Sequence, residues 1–224
     1  IPKIKYKYTV CNALMNHYNC GFKVVRNVPY RLVSTNTLSK KDTRIILYQG
    51  SINTARGIET MIMAMPFVEN CEFWIAGDGY ELDAIKSLVE QLNLGNKVIF
   101  KGKFLPEKLK EITPLANLGI SIEENVGLNY YYALPNKLMD YIQNGVPVLV
   151  SNFPEMSAIV NKYNIGETLL SREPKQLAEQ INKMLLDESV YKKWKENLKL
   201  AAQELCWENE EKILISIYTE LSKD

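Results

Sequence analysis

The sequence predicts an α/β fold, a doubly wound parallel sheet of the Rossmann-like kind, on two observations. From Arg44 onward, short apolar runs alternate with amphipathic stretches of helical period, which is the pattern of consecutive β-α units. Several of the helical stretches begin with proline near the first turn, where its missing N–H costs little. Five or six such units suffice for a parallel sheet covered by helices on both faces.

The predicted elements alternate regularly along the middle of the chain. The strands are predicted at RIILYQ, CEFWIA, KVIFKG, LGISI, VPVLV and GETLL. The helices are predicted over residues 57–65, 80–93, 106–115, 135–143, 154–160 and 174–186. Each helix follows one strand and precedes the next, so neighbouring strands are expected to be parallel.

The two ends of the chain depart from this alternation. Residues 1–20 predict a helix, FKVVRNV a strand, and PYRLVSTNTLSKKD a polar linker. Residues 188–222 predict one continuous helix, in which WENEEKILISIYTEL carries an apolar stripe. We therefore expect a tail of a preceding domain and a linker over 1–36, a sheet domain over 37–205, and a final helix over 206–224. The first residue is not methionine, so we expect a piece of a longer protein.

Composition and charge exclude several functional classes. Lysine plus arginine number 27 against 26 for aspartate plus glutamate, which gives no overall attraction to nucleic acid. The four cysteines are scattered, and the one histidine, His17, forms no cluster with them. This pattern predicts no metal site and favours a reducing, cytoplasmic compartment. No run of about 18 apolar residues occurs, so no membrane-spanning helix is predicted.

Ligands of doubly wound sheets bind beyond the carboxyl ends of the strands, and the loop YQGSINTARGIET follows the first of these strands. Gly50 lets the backbone approach a ligand, and Arg56 stands at the start of the next helix with a planar fork suited to phosphate. The alternative is a glycine turn with a solvated arginine. The segment lacks the glycine spacing of NAD sites and the Gly-Lys-Ser/Thr ending of ATPases, which disfavours both functions.

Two further loops reach the same edge of the predicted sheet. In AGDGYE, Gly77 and Gly79 allow a tight turn that faces the crevice, although an ordinary Asp-Gly turn explains the pattern as well. In FKGKFLP, Lys103 and Phe104 offer backbone groups and an aromatic face for a planar base. The alternative for Phe104 is that its ring packs under the next helix.

The stretch LPNKLMDYIQNGVPVLV begins a helix with proline near the first turn. We expect the amides of Asn136, Lys137 and Leu138 to be unpaired there, forming a positive pole to which Lys137 adds its charge. Asp140 lies one turn further on the same face, where its carboxylate can accept bonds from sugar hydroxyls. A diphosphate joined to a ribose fits both features. An ordinary i,i+3 Lys-Asp pair is the alternative.

These motifs, in this order, resemble a known protein family. ILYQGSINTARGIETMIMAM, FWIAGDGYE, VIFKGKF and LPNKLMDYIQNGVPVLV are similar to the carboxyl-terminal half of retaining GT-B glycosyltransferases. The likeness is to the glycosyltransferase group 1, family-four type, which includes many polysaccharide and lipopolysaccharide sugar transferases. It covers residues 44–170, and the helix that contains Trp207 is similar to the closing helix that crosses back to the other domain.

The resemblance implies a donor-binding domain. Its substrate is a nucleotide-diphosphate sugar, UDP- or GDP-linked, with no cofactor and no metal. Arg56 occupies the position that grips the diphosphate, and Arg56 and Lys137 together stabilise the leaving nucleoside diphosphate in retaining transfer. A glycan or lipid-linked acceptor is implied to bind the missing amino-terminal domain, so the fragment alone is expected to be inactive, with cytoplasmic or peripheral membrane localisation.

The resemblance also assigns the remaining site residues and shows where this chain departs from the family. Ser51 stands where an arginine often assists. Asp140 takes the place of the ribose-binding glutamate, and Tyr132 that of the glutamate linked to the donor sugar. The loop NYYYALPNK, with Leu134 and Pro135, is implied to line the sugar pocket, and the base is implied to rest near Lys103 and Phe104.

Two other functions stay open beside this one, and two local features also have alternative interpretations. A nucleotide-sugar epimerase shares the two-domain architecture but needs more acid-base groups around the sugar. A non-catalytic nucleotide-binding or scaffold module is favoured by Ser51 and Tyr132. The segment YKKWKENLK is predicted either to touch a membrane or, as a solvated helix, to pack its tryptophan inward. His17, in the predicted first helix, is interpreted as structural or surface, not catalytic.

Overall fold

The computed structural model describes residues 7–18, 23–32 and 43–222. Within these residues the strands are β1 (Tyr8–Thr9), β2 (Lys23–Val24), β3 (Arg44–Gln49), β4 (Cys71–Ala76), β5 (Val98–Gly102), β6 (Leu118–Ser121), β7 (Val148–Val150) and β8 (Gly166–Thr168). The helices are α1 (Asn12–Tyr18), α2 (Ile58–Ala64), α3 (Leu82–Gln91), α4 (Pro106–Ile112), α5 (Leu128–Tyr131), α6 (Asn136–Gln143), α7 (Pro154–Tyr163), α8 (Pro174–Leu186), α9 (Glu188–Glu204) and α10 (Trp207–Leu221). Short 3-10 turns at Met65–Phe67 and Thr113–Leu115 extend α2 and α4.

The main sheet is parallel throughout and is doubly wound, which confirms the predicted fold class. Its strand order is β5-β4-β3-β6-β7-β8. The chain winds outward from β3 through β4 to β5, and then returns to place β6 on the other side of β3. The winding direction reverses between β3 and β6, and a crevice opens at such a point beyond the carboxyl ends of the strands.

Both faces of the sheet are buried, because alternate residues of each strand face opposite layers of helices. On β3, Ile46 and Tyr48 belong to one apolar cluster, whereas Ile45 and Leu47 belong to the other. Helices α2, α3 and α8 cover the first cluster, and helices α6, α7 and α9 cover the second. This two-sided burial explains why the strands read as continuous apolar runs instead of alternating ones.

The amino-terminal prediction was wrong in part. Within the predicted helix over 1–20, Tyr8–Thr9 form a strand that pairs in parallel with Lys23–Val24, and of the residues described there Asn12–Tyr18 are helical. Tyr and Thr favour extended backbone, and Lys23–Val24 give them a parallel partner on the far side of helix α1. The predicted strand FKVVRNV shortens to Lys23–Val24, while residues 1–6, 19–22 and 33–42 lie outside the described residues.

The predicted helix over 188–222 is also interrupted. Cys206 has an extended backbone, so α9 ends at Glu204 and α10 starts at Trp207. The buried Gln143 amide donates to the carbonyls of Ala202 and Leu205, both at 2.8 Å, and thus takes over carbonyls at the end of α9. These bonds pair backbone carbonyls that a helix leaves without partners where it ends. In a continuous helix, amides of the next turn would have paired with them.

Helix α10 is held to the linker segment 25–32. Trp207 N–H donates to the Pro29 carbonyl at 2.9 Å, and the Arg26 guanidinium pairs with Glu210, which is buried, at 3.1 Å. The predicted apolar stripe is buried only in part, because Ile217 is 3% exposed but Tyr218 is 60% exposed. The final helix is therefore held to segment 25–32 by polar contacts near its start, while only part of its apolar stripe is buried.

The segment YKKWKENLK lies on α9 with its rings turned inward. Trp194 is 3% exposed and donates to the Asn164 side chain at 3.3 Å. The Tyr191 hydroxyl donates to the Asn117 carbonyl at 3.0 Å. Neither ring is free to enter a bilayer, which agrees with the packed-tryptophan alternative. In the part of the chain that the structure describes, no helix has both the length and the apolar character to cross a bilayer.

Candidate functional site

Three loops at the carboxyl edge of the sheet are bonded to one another through their backbones. Gly50 N–H donates to the Ala76 carbonyl at 3.0 Å, and Gly77 N–H donates to the Gly102 carbonyl at 2.9 Å. The loops after β3, β4 and β5 thus form one continuous layer. This layer is the floor of the crevice, and the predicted turn of Gly77 and Gly79 is part of it.

The two glycines after β4 are required by close backbone contact, not by turn geometry alone. A Cβ atom on Gly77 would lie 1.9 Å from the Gly50 carbonyl oxygen, and one on Gly79 would lie 2.1 Å from that of Ile52. Real Cβ atoms do not approach backbone oxygens so closely, so any side chain here displaces the loop after β3.

We expect Gly77→Ala to lower the free energy of unfolding by about 1–3 kcal/mol, the usual cost of overpacking. The control is Gly95→Ala, because a Cβ there meets nothing within 4 Å. Urea unfolding of both variants measures the difference. A Gly77→Ala variant as stable as the Gly95→Ala variant would show that the loops are not locked together.

Arg56 is placed over the crevice by an unusual backbone. Ala55 and Gly57 have positive φ of 64° and 75°, and a Cβ on Gly57 would lie 2.3 Å from the Ile122 carbonyl oxygen. This packing starts α2 directly against the end of β6. The Arg56 guanidinium lies 5.1 Å from the Tyr130 ring centroid, and its buried Nε has no hydrogen-bond partner.

Lys137 forms a buried ion pair with Glu123. Its Nζ lies 2.9 Å from Glu123 Oε1, and the two side chains are 9% and 1% exposed. The ammonium also sits 4.1 Å from the Tyr48 ring centroid, and the Ser121 hydroxyl donates to the Glu123 carboxylate. The lysine is therefore held between an aromatic face and a carboxylate at the junction of β3 and β6.

The pKa shifts reflect this crowding of charges. Burial alone would raise the pKa of Glu123, but the charge and hydrogen bond of Lys137, together with hydrogen bonds from the Glu123 backbone and Ser121, hold the carboxyl pKa below its usual value. Burial lowers the pKa of Lys137; Glu123 opposes this shift, and the positive charge of Arg56 adds to it. Arg56 and Lys137 thus act on the same small region, in which Glu123 offsets only one of the two positive charges.

The backbone of Glu123 is held by residues from the far edge of the sheet. The Arg172 guanidinium donates to the carbonyls of Ile122 and Glu123, and the Ser151 hydroxyl donates to the Glu123 carbonyl. Glu123, Ser151 and Arg172 were not predicted from the sequence. The acidic pair in SIEEN, directly after a predicted strand, was the signal that could have found Glu123. A cleft of about 200 Å³ lies beside Arg172, lined by residues 151–153 and 169–172.

Asp140 does not pair with Lys137. Its Oδ2 accepts a hydrogen bond from Gln49 Nε2 at 2.9 Å, while Lys137 pairs with Glu123. Burial raises the pKa of Asp140, and the bond from Gln49 opposes that rise. The alternative of an ordinary i,i+3 pair is therefore wrong, because each side chain has found a partner on another strand or loop.

The amino terminus of α6 differs from the prediction in one bond. Leu138 N–H donates to the Pro135 carbonyl at 3.1 Å, so the expectation of an unpaired Leu138 amide was wrong. The Leu138 side chain is fully buried in the core. Pro135 is the N-cap residue and no side chain caps the helix, which leaves the amides of Asn136 and Lys137 as the donors at this end.

The other predicted site residues are spread around the crevice. Lys103 is exposed, whereas Phe104 is half-buried and packs on the second apolar cluster. The Ser51 carbonyl accepts a bond from the Tyr48 hydroxyl at 2.6 Å. Ser51 thus contributes backbone to the site and does not replace a positive charge.

The loop before α6 faces the amino-terminal segment. The Tyr132 ring lies 5.4 Å from the His17 ring, and Leu134 is half-buried against the second apolar cluster. The Asn136 side chain accepts a bond from the Asn27 amide at 3.0 Å. Tyr132 therefore contacts the last turn of α1, a contact that the sequence did not predict. Among the described residues, no three His, Cys, Asp or Glu side chains are grouped as metal ligands.

The chain matches a known family over most of its length. The family model of glycosyl transferases group 1 matches residues 33–201. The chain belongs to this family. An uncharacterized glycosyltransferase of Methanocaldococcus jannaschii is 26% identical to it over 183 residues, which cover 79% of this chain and 45% of that protein.

Solved structures agree with this assignment to glycosyl transferases group 1 at the level of the fold. Sucrose-phosphate synthase of Thermosynechococcus elongatus has a TM-score of 0.78 at 20% identity, covering 97% of this chain and 58% of that one. TarM of S. aureus, as a mutant in complex with fondaparinux, α-GlcNAc-glycerol and UDP, has a TM-score of 0.75 at 14% identity, covering 97% of this chain and 44% of that one. Anabaena HepE in complex with UDP has a TM-score of 0.69 at 17% identity, covering 82% and 50%.

The chain spans about half the length of the relatives that it matches. The resemblance to one half of a GT-B glycosyltransferase is thereby confirmed for the family and for the Rossmann-like fold.

Proposed function

We propose that this chain binds the donor of a sugar transfer, a nucleotide-diphosphate sugar, in the crevice between β3 and β6. The observation that carries the proposal is Arg56, whose buried Nε has no hydrogen-bond partner. Among the described residues, no carboxylate forms an ion pair with Arg56. Arg56 is half-buried, and a buried donor without a partner is costly, so an anionic ligand that pairs with this guanidinium would be stabilised.

The diphosphate is assigned to the space between Arg56 and the start of α6. The free amides of Asn136 and Lys137 and the dipole of α6 attract an anion there. The Lys137 ammonium uses one bond on Glu123 and keeps donors for a phosphate oxygen. No described carboxylate pairs with Arg56, so this region offers a diphosphate a positive charge that Glu123 does not offset.

The rest of the donor follows from this placement. Asp140, beside the same helix end, is proposed to accept a hydrogen bond from the ribose. The base is proposed to rest near Lys103 and Phe104, over the layer formed by Gly50, Gly77 and their neighbours. The sugar is proposed to face the loop that contains Tyr132 and Leu134.

In the whole enzyme, Arg56 and Lys137 are proposed to stabilise the departing nucleoside diphosphate, which is where negative charge grows during transfer. We propose retaining transfer to a polysaccharide, lipopolysaccharide or other glycan acceptor, free or lipid-linked, which a preceding domain would bind. Cys71 and Cys206 are buried cysteines outside any disulfide, which supports the proposed cytoplasmic location. This chain alone should bind donor and transfer little.

A thermal-shift panel with UDP, GDP, ADP and CDP tests the proposal. A ligand at a hundredfold excess over its dissociation constant adds about 2.7 kcal/mol to stability. At least one of the four nucleotides, with UDP first in order because TarM and HepE were solved with it, should raise the melting temperature. No shift with any nucleotide, at concentrations up to several millimolar, would refute donor binding.

A non-catalytic scaffold module is the second candidate, and it rests on Ser51 and Tyr132. Neither residue supplies the charge that the family resemblance implies at its position. The panel separates the two functions, because a scaffold without a nucleotide site shows no shift. Transfer by the full-length enzyme, assayed as hydrolysis or consumption of the bound nucleotide sugar, then separates an enzyme from a nucleotide-binding scaffold.

A further inference from the structure

Gln49 is a buried polar side chain at the point where β3 enters the crevice. It is the last residue of the strand and is 2% exposed. Its backbone N–H donates to the Tyr141 hydroxyl at 3.2 Å, which ties the strand end to α6. A buried amide needs partners for both its oxygen and its nitrogen, so the bonds of its side chain are informative.

Both ends of the Gln49 side chain are bonded, each to a different element. Its Oε1 accepts a bond from the Thr113 hydroxyl at 2.8 Å, and its Nε2 donates to Asp140 Oδ2 at 2.9 Å. Thr113 is 1% exposed, and its hydroxyl also lies 2.8 Å from the Leu109 carbonyl, which holds the hydroxyl in place while its single proton is shared between two acceptors. The amide is thereby oriented from one side and presents its N–H groups to Asp140.

The two oxygens of the Asp140 carboxylate consequently differ in their hydrogen bonding. Oδ2 is taken by Gln49, and no hydrogen bond from the described residues engages Oδ1. A carboxylate held in this way has one open oxygen. That oxygen can accept a hydrogen bond from a hydroxyl group in a single direction. Without Gln49, the side chain of Asp140 could turn about its bonds and lose that direction.

We propose that Gln49 is a positioning residue that fixes Asp140 so that Oδ1 receives a ribose hydroxyl of the donor. This inference rests on the proposed nucleotide site and goes further, because it assigns selection of ribose over deoxyribose to a chain of three side chains. Thr113 orients Gln49, Gln49 holds Oδ2, and Oδ1 accepts from the sugar. Gln49 itself touches no part of the nucleotide.

A purely structural role for Gln49 predicts something different. If the amide only satisfied the core, its loss would weaken the fold and reduce the affinity for every nucleotide by the same factor. A positioning role changes the ratio between nucleotides with and without ribose hydroxyls. This ratio is the property to measure, since loss of stability alone leaves it constant.

The experiment is calorimetric titration of the chain with UDP and with 2′,3′-dideoxyuridine diphosphate, and with the corresponding guanosine pair. The wild-type chain should bind the ribonucleotide about tenfold tighter or more, the worth of a hydrogen bond to a charged acceptor. Gln49→Met, which keeps the length but removes the amide, should bring that ratio below about threefold and leave dideoxynucleotide affinity unchanged.

Three further variants complete the test and keep it decisive if Gln49→Met folds poorly. Thr113→Val removes the hydroxyl that orients Gln49 and should lower the ratio in the same direction. Gln180→Met is the matched control, because Gln180 is a buried glutamine bonded to β8, away from the crevice. It should leave the ratio at the wild-type value. Asp140→Asn gives the reference for a lost carboxylate.

The outcomes separate this inference from the proposed function. A wild-type ratio that persists in Gln49→Met and Thr113→Val, but collapses in Asp140→Asn, overturns the positioning role and leaves the nucleotide site standing. A wild-type chain that binds both nucleotides equally also overturns it. If the wild-type chain binds none of these nucleotides, the proposed function and this inference fail together.

Discussion

Replacing Glu123 by glutamine is expected to lower the free energy of unfolding by about 3–5 kcal/mol, the usual cost of breaking a buried ion pair. The change leaves the Lys137 ammonium, which is 9% exposed, without its counter-charge. Urea unfolding followed by circular dichroism measures this loss as a lower midpoint at constant slope. Glu124→Gln is the control, because Glu124 is the neighbouring acid and forms no ion pair among the described residues.

The paired change Glu123→Gln with Lys137→Met should recover part of this loss, since it removes both charges from the interior. It should not recover nucleotide binding, because Lys137 is a proposed phosphate ligand. Equal stability of the wild-type chain and the Glu123→Gln variant would mean that the pair is not buried as described.

The Glu123–Lys137 ion pair also predicts how the stability of the chain changes at acid pH. The folded pKa of Glu123 lies below its unfolded value, which is about 4.3 for a glutamate. Its contribution to stability is therefore complete above about pH 4.3 and is lost as the pH falls through the folded pKa. The Glu123→Gln variant should lack this part of the acid-induced loss, which unfolding curves recorded at successive pH values below 5 would reveal.

Arg56→Met is expected to weaken nucleoside diphosphate binding by about 2 kcal/mol or more, which corresponds to about 30-fold in dissociation constant. The reason is that Arg56 is the cation in the crevice whose charge no described carboxylate offsets. Calorimetric titration with UDP and GDP measures the change. Stability should stay the same or rise, because the buried unpaired Nε is removed with the side chain.

Arg44→Met is the matched control for this prediction. Arg44 begins the same strand at the opposite edge of the sheet, away from the crevice. It should leave nucleotide affinity within twofold of the wild-type value. If both arginine variants lose affinity alike, the effect is one of total charge, and the role assigned to Arg56 is refuted.

Much of the fold could be predicted because the signal is local. Each apolar run of the sheet was found to within two residues, since parallel strands buried on both faces are short, continuous and separated by helical stretches. The first residues of helices α4, α7 and α8 were predicted correctly, because each of these helices begins with a proline, which is also a local signal. The short helix α5 was missed, because four residues carry no measurable period.

The site could be located from the sequence, but its bonds could not. The edge of the sheet, Arg56 and the start of α6 follow from strand order and helix ends. The partners of Lys137 and Asp140 do not, because Glu123 and Gln49 lie on other strands and come near only through the order of β3 and β6. The alternative that follows from a single helix, an i,i+3 pair of Lys137 with Asp140, was wrong for this reason.

The central claim is that a diphosphate lies between the Arg56 guanidinium and the amides at the start of α6. A crystal structure of this chain with UDP, or with whichever nucleotide the thermal panel selects, tests it most directly. We predict phosphate oxygens within about 2.7–3.2 Å of the Asn136 or Lys137 amide and of the Arg56 guanidinium. A nucleotide whose phosphates lie away from both groups would contradict the account.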